Sequence, residues 1–583
     1  MRDPERSRYA ASELSPARRA ADLERLRTEK FDVVIIGGGV TGAGAAVDAA
    51  ARGLSVALVE ARDLAIGTSS RSSKLIHGGL RYLEQLEFGL VHEALKERGL
   101  LATKLAPHLV RPVPFLVPLL RQSLARRAFH RAYYGAGVAV YDAFASVTGQ
   151  RGMPLHRHLS RTAARRLFPS LREDAVVGAI RYYDGQVDDA RLVVTLARTA
   201  ASMGAAVVTG TPAVALIRDA REVTGVRVRV GEGTIDVAAR TVIAATGVWS
   251  DSVSALLGEP AEHLGLRVRA SKGVHLVVPR SAISGEAGLI LRTPSSVLFV
   301  IPWGGHWIIG TTDTDWKLDR DEPVATARDV EYLLEQLEPV LDRPLTMADI
   351  EGVYAGLRPL LAVEARTRRA PHTVDEQTSA LSRTHAVVEP MLGLMLVAGG
   401  KYTTYRVMAA DVVDRAARRL GAVPASPTAE LPLLGADGYR AQWAQRAELA
   451  RRHGVPVGVV EHLLERYGTL ATAVLGLIDS DPALGRPLAG APEYLAAEVV
   501  YAVTAEGARH LDDVLYRRLR VAIETTHRGV DSAAHAASLM ASALGWSDAE
   551  RDAEVTAYLA RVEGERRSQK MPDDESAATV RGT

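Results

Sequence analysis

The 583-residue sequence predicts an α/β protein with a Rossmann-like domain built from separated pieces, an α+β domain between them, and an all-α domain toward the C-terminus. Three observations lead there. The stretch VVIIGGGVTGAGAAVDAAARGLSVALVE, Val33 to Glu60, reads as an apolar strand, a glycine turn, an alanine-rich helix and a second apolar strand ending in an acid. Further apolar runs end in glycine far downstream, at Ala245-Thr246-Gly247 and at Gly399-Gly400. From about Pro424 to Glu563 the pattern is helical and alanine-rich.

In the first stretch each glycine has a physical reason. Gly37, Gly39 and Gly42 form G-x-G-x-x-G, in which the first permits a tight turn, the second lets a pyrophosphate approach the backbone, and the third lets the helix pack on the strand. The phosphates would lie at the helix N-terminus, where free N–H groups and the dipole favour anions. Glu60 stands 18 positions after Gly42 (60 − 42), near the spacing at which an acid accepts hydrogen bonds from an adenosine ribose. With both strands and the acid in place, the motif predicts a dinucleotide site.

The remaining elements follow in order. Residues 1–30 read as a polar helical lead-in. After Glu60 comes ARDLAIGTSSRSSKLIHGGLRYLE, a loop dense in hydroxyls and glycine. Pro107, Pro112, Pro114 and Pro118 are expected to break any long element. From about Leu119 to Tyr134, Leu120, Leu124, Ala128 and Ala132 recur every fourth position among Arg121, Arg126, Arg127 and Arg131, which predicts an amphipathic basic helix. Its apolar stripe suits either the surface of a membrane or packing on its own domain. A helix and a strand follow Tyr183, then a hairpin, and a mainly β stretch covers roughly 265 to 315. The expected division is 31–108, 183–256 and 352–420 for the dinucleotide domain, 109–182 and 257–351 for a substrate domain, 421–566 for the helical domain, and 567–583 for a disordered tail.

Composition narrows the chemistry. Lys+Arg 71 nearly balances Asp+Glu 69, so charge does not indicate a nucleic-acid partner. The sequence has no cysteine, which removes disulfides, iron–sulfur ligation, thiolate metal sites, a cysteine nucleophile and a cysteine-linked flavin; no metal site is expected. The first thirty residues contain no apolar core of a signal peptide. The long uncharged run from Thr199 to Ile217 holds Gly204, Gly210 and Pro212 and reads as helix end, turn and strand, so no transmembrane helix is expected. A cytoplasmic chain, peripheral to the inner face of the membrane if the basic helix docks there, fits these features.

A nicotinamide enzyme usually keeps its dinucleotide site within one continuous half of the chain, whereas here the strand-to-glycine turns lie hundreds of residues apart. That spread favours FAD, whose isoalloxazine reaches far from its adenosine end. The segments FDVVIIGGGVTGAGAAVDAAARGLSVALVE, GTSSRSSKLIHGGLRYLE, YYDGQVDDARLV, ATGVWSD, KGVHLVVPR, IPWGGHWIIGTTDTD, GLRPL and GGKYTTYR closely resemble the FAD-dependent glycerol-3-phosphate dehydrogenases of the D-amino-acid-oxidase-like superfamily. They span nearly all of 31 to 410, and LDDVLYRRLR in the helical domain is similar as well. The stretch LARRAFHRAYYGAGVAV has no close match.

The resemblance implies oxidation of sn-glycerol 3-phosphate to dihydroxyacetone phosphate, by hydride transfer from C2 to flavin N5, with a quinone as electron acceptor. Arg81, Arg358 and Arg383 are the implied phosphate ligands, joined by the Tyr82 hydroxyl. His275 is either a packed strand residue or the base that takes the C2 hydroxyl proton, with Arg358 its rival for polarising that oxygen. Lys401 falls beside the flavin, where a cation would stabilise the reduced ring; Thr403 and Thr404 suit both cofactor contacts and helix capping. Ser69, Ser70, Ser72 and Ser73, with Gly78 and Gly79, lie in the loop that wraps the pyrophosphate and ring in this superfamily, and Gly247 and Gly400 end the two later strands beside the cofactor. Asp313 reads as a turn residue. Other readings are an oxidase that uses oxygen, an FAD enzyme of amines, amino acids or 2-hydroxy acids, and a flavin-fold binding protein; a homodimer is open.

Overall fold

In the computed structural model, the described residues are 3–79, 87–121, 153–258, 264–293, 297–362 and 384–582. An eight-stranded sheet forms the first layer. Its order is His385–Met391, Leu394–Gly399, Gly233–Ala244, Lys30–Ile36, Val56–Val59, Ala206–Val208, with the hairpin Ala213–Asp219/Glu222–Val230 added to the Gly233 strand. Pairing from Leu394–Gly399 through Ala206–Val208 is parallel. These strands are continuous apolar runs such as VVII and VALV because both faces are covered. The helices Val40–Ala51, Asp189–Ser202 and Tyr405–Ala417 pack on one face, in a core with Val33, Ile35 and Ile243. Thus three distant pieces of chain build one sheet.

The second sheet has ten strands, ordered Thr314–Trp316, Arg267–Pro279, His306–Gly310, Val297–Trp303, Gly288–Arg292, Arg111–Leu120, Val176–Gln186 and Leu75–Ile76; Gly352–Ala362 pairs with Arg267–Pro279 and Arg157–Ser160 with Val176–Gln186. Helix Ala327–Leu337 covers one face through Val330, Leu333 and Leu337. Leu75–Ile76 comes from the loop after Glu60, so that loop bridges both sheets. Helices from Tyr439 to Ser568 make the C-terminal layer, with a two-stranded ribbon, Pro487–Leu488 and Ala491–Leu495, among them.

Two expectations are corrected here. The prolines do not break the chain: Arg111–Leu120 is a ten-residue strand, paired along its length with Val176–Gln186. Pro112, Pro114 and Pro118 share one parity, so the missing N–H donors fall on a single flank, and the other flank keeps its ladder. Leu119 and Leu120 end this strand, so the basic helix cannot begin there; residues 122–134 lie outside the described residues. Nor is the tail disordered among the described residues. Asp548–Ser568 continues into it and Asp574–Gly582 forms another helix, with Ala577 fully buried. Its polar composition reads as solvated, but Asp574 pairs with Lys272, and Arg581 pairs with Glu322 and, at 2.9 Å, with Glu565.

Candidate active site

A cavity of about 570 Å³ runs from the glycine turn, across the C-terminal ends of the parallel strands, to the floor of the second sheet. Its first end is a cradle that only glycine allows. A Cβ on Gly42 would stand 1.9 Å from the Gly37 carbonyl oxygen, and one on Gly37, where φ is 110°, would stand 2.7 Å from that of Ala245. Gly39 caps the helix Val40–Ala51 without a side chain, and Ser69 Oγ accepts from the Val40 N–H at 3.0 Å. Glu60 follows the second strand and accepts from the backbone N–H groups of Gly38 (2.6 Å) and Arg62 (2.9 Å). Burial raises its pKa, and those two donors oppose the rise. Thr246 Oγ1 is buried at the cavity wall and, among the described residues, has no hydrogen-bond partner. An open helix N-terminus, an acid beyond the next strand and an orphaned hydroxyl are what a bound dinucleotide would satisfy, so the residues fit FAD.

The loop after Glu60 is held from below by a buried ionic network. Asp189 Oδ2 accepts from both Ser72 N (2.9 Å) and Ser72 Oγ (2.7 Å), and Asp189 Oδ1 accepts from Lys74 Nζ (2.8 Å) and Arg520 (2.5 Å). Lys74 is fully buried; burial first, then Arg520, lowers its pKa against the opposing pull of Asp189 and Asp188. Ser73 Oγ is 2.8 Å from His275 Nε2. The His275 ring stacks on Tyr354 at 4.8 Å between centroids, and its buried Nδ1 has no partner among the described residues. Burial, with the nearby Arg358 and Lys74 charges, holds the His275 pKa well below that of an ordinary histidine, so the imidazole is neutral at pH 7.

Arg358 projects from Gly352–Ala362 into the same cavity. One guanidinium nitrogen donates to Thr311 Oγ1 (2.9 Å) and the Thr312 carbonyl (3.0 Å), and the other to Ser271 Oγ (3.3 Å) and the Lys272 carbonyl (3.4 Å). Asp313, read from sequence as a turn residue, lies 3.4 Å from that nitrogen and orients it. A Cβ on Gly273 would be 2.4 Å from Arg358, which explains the glycine. Lys401 lines the cavity at the start of the turn Tyr402–Thr404. Thr403 Oγ1 accepts from His77 N (3.1 Å) and donates to the His77 carbonyl (3.2 Å), clamping the loop before Gly78 and Gly79, while Thr404 Oγ1 donates back to the Lys401 carbonyl (3.4 Å).

The structure therefore brings Gly37, Gly39, Glu60, Ser69, Ser72, Ser73, Gly247, His275, Arg358, Gly400, Lys401 and Thr403 to one cavity. Gly42 packs behind the turn, Ser70 faces a second cavity, and Gly78, Gly79 and Thr404 are outside the lining. Arg81, Tyr82 and Arg383 lie outside the described residues. Sequence reasoning missed Thr246, Asp189, Lys74, Arg71 and Tyr354. The ATG that ends a strand could have flagged Thr246; Asp189, Lys74 and Tyr354 act through tertiary pairing over more than a hundred residues, and Arg71 is placed only by the fold.

Residues 32–406 match the FAD dependent oxidoreductase family, and residues 426–551 match the C-terminal domain of alpha-glycerophosphate oxidase. At 53% identity over 578 residues, covering 99% of this chain and 95% of the relative, the chain is similar to glycerol-3-phosphate dehydrogenase 2 of Mycobacterium tuberculosis. It belongs to the FAD-dependent glycerol-3-phosphate dehydrogenases. The Mycobacterium leprae glycerol-3-phosphate dehydrogenase is likewise 53% identical over 578 residues, covering 99% of this chain and 95% of that one. Among solved structures, the FAD complex of the Bacillus halodurans glycerol-3-phosphate dehydrogenase superposes with TM-score 0.74 at 26% identity, covering 94% of this chain and 98% of that one. As a member of this family the protein is an FAD-dependent oxidoreductase.

Proposed function

We propose that the protein oxidises the C2 alcohol of sn-glycerol 3-phosphate to dihydroxyacetone phosphate and passes the electrons to a quinone. FAD, when bound, supplies the hydride acceptor at flavin N5. Arg358, held by five groups of the second sheet, binds and orients the substrate anion or the C2 oxygen as charge develops on it. His275, neutral and in contact with Ser73 Oγ, takes the hydroxyl proton at Nε2. Lys401 sets a cation at the start of a helical turn, where it stabilises negative charge on the reduced cofactor. Arg81, Tyr82 and Arg383 complete the phosphate site in this reading.

The observation that supports it is the convergence of His275, Arg358 and Lys401 on the cavity that begins at the glycine cradle. Among the described residues no helix is long and apolar enough to cross a membrane, so access to a lipid-soluble quinone would come from surface docking by the basic segment around Arg126, Arg127 and Arg131. The domain division proposed is the parallel sheet for FAD, the ten-stranded sheet for substrate, and the helices after residue 421 as a third unit. Anaerobic addition of sn-glycerol 3-phosphate should bleach the flavin absorbance, and a soluble quinone should restore it faster than oxygen. Absence of bleaching refutes the substrate, and faster recovery with oxygen makes the protein an oxidase.

A further inference from the structure

A second cavity, about 50 Å³, adjoins the first, and Arg71 lines both. It is walled by Arg71, Arg517, Arg520, Arg561 and Arg581. Four of these five have carboxylate partners: Arg517 pairs with Asp63 and Asp513 (2.5 Å each), Arg520 with Asp189 (2.5 Å) and Asp188, Arg561 with Asp512, and Arg581 with Glu565 (2.9 Å) and Glu322. Arg71 differs. Among the described residues its guanidinium makes no hydrogen bond and no ion pair. Burial, then repulsion from Arg561, lowers its pKa to about 10; Arg581 and Arg517 add to the repulsion, and Glu322 opposes it. Arg71 is half-buried, and an anion beside it would supply the charge-assisted contacts that the neighbouring arginines already have.

Glu565, also on the wall, is already engaged by Arg561, Arg581 and Tyr516, and the space beside it has room for a small anion. A single water needs roughly 10–15 Å³ of such space, so this volume takes a few waters or one compact oxyanion, and excludes a nucleotide. Gln569, on the wall, accepts from Arg528 at 2.7 Å through Oε1 and keeps its amide NH₂ to donate. We propose that this cavity binds one tetrahedral oxyanion of the phosphate or sulfate class between Arg71 and the C-terminal helices. The anion fixes the loop that carries Ser69 to Ser73 against the helical domain. It lies close to the reaction machinery, because the Arg71 carbonyl and Cβ would stand only 2.5 and 2.8 Å from a Cβ on Gly356, two residues before Arg358.

Free phosphate and the phosphate group of a monoester share this chemistry, and both could also enter the substrate site proposed above. The test is thermal melting of the FAD-loaded protein titrated with inorganic phosphate at constant ionic strength. The wild type and Arg358→Met should both show a saturable rise in melting temperature, and Arg71→Met should show none. In chloride alone Arg71→Met should melt at or above the wild type, since an uncompensated cation has been removed. A rise kept in Arg71→Met but lost in Arg358→Met puts the anion in the substrate site and overturns the proposal. So does a variant Arg71→Met destabilised equally with and without phosphate, which makes the arginine a structural one. With glycerol 3-phosphate as titrant on Arg358→Met, a rise names the monoester as occupant and no rise names the free anion. If Arg71→Met does not fold, crystals of the wild-type holoenzyme grown with selenate decide: an anomalous peak beside Arg71 supports the site, and its absence refutes it.

Discussion

Replacing Arg358 with alanine should separate cofactor binding from turnover. The guanidinium is anchored in the second sheet by Ser271, Lys272, Thr311, Thr312 and Asp313, whereas the nucleotide cradle is built by the first sheet, so the variant should retain FAD. Loss of one charge-assisted contact to a desolvated anion or oxyanion costs about 3–5 kcal/mol. At about 1.4 kcal/mol per decade, kcat/KM for sn-glycerol 3-phosphate should fall by roughly two to four orders of magnitude. Asp313→Ala gives a graded control. That ion pair is 3.4 Å long and Arg358 keeps 21% of its side-chain exposure, so its loss is worth only about 1 kcal/mol, or roughly fivefold. Dye-linked turnover, with FAD content from the visible spectrum, measures both. An Arg358→Ala variant that keeps FAD and loses less than tenfold in kcat/KM would show that the arginine serves the sheet and not the substrate.

Four further outcomes follow from the geometry. His275→Ala should lower kcat and flatten the acidic limb of the pH–rate profile; the depressed pKa places that limb below the ordinary histidine range in the wild type, and an unchanged profile would make His275 a packing residue. FAD should be noncovalent, since the chain has no cysteine, so acid precipitation should leave the yellow colour in solution and not in the pellet. His108 is buried and neutral, its pKa lowered to about 3 by burial, then by Arg111 and Arg191. Because the unfolded residue takes its proton near pH 6.5, this stability is full above that pH and falls as pH drops toward 3, by about 2 kcal/mol at pH 5; His108→Asn should flatten the melting-temperature curve between pH 6 and 4. Anionic vesicles should float the protein at low salt and release it at high salt, and charge reversal at Arg126, Arg127 and Arg131 should abolish flotation without loss of dye-linked activity; unchanged flotation would move the membrane face elsewhere.

The parallel-sheet half could be read because its rules are local. A turn with φ of 110° at Gly37 and an approach that only Gly42 permits leave glycine at fixed offsets, and the strands around them are buried on both faces and so uniformly apolar. The strand Arg111–Leu120 was illegible because proline weighs against a strand locally, and only the partner on one flank makes three of one parity acceptable. The last helix escaped for a similar reason: nothing near Asp574 announces that its partner is Lys272, 302 positions earlier. Asp189 looked like the start of a helix, and its second task, holding Ser72, Lys74 and Arg520 together, exists only in three dimensions.

The strand order of the parallel sheet has a consequence for how the protein is made. Neighbours at its centre, Lys30–Ile36 and Gly233–Ala244, leave the ribosome some two hundred residues apart, and Leu394–Gly399 must be synthesised before the sheet gains its next parallel strand. Lys272 of the second sheet then waits for Asp574, some three hundred residues later. Until Met408, the last residue of the cavity wall, has emerged, the nascent chain carries apolar strands with open edges, so aggregation during synthesis competes with closure of the cavity.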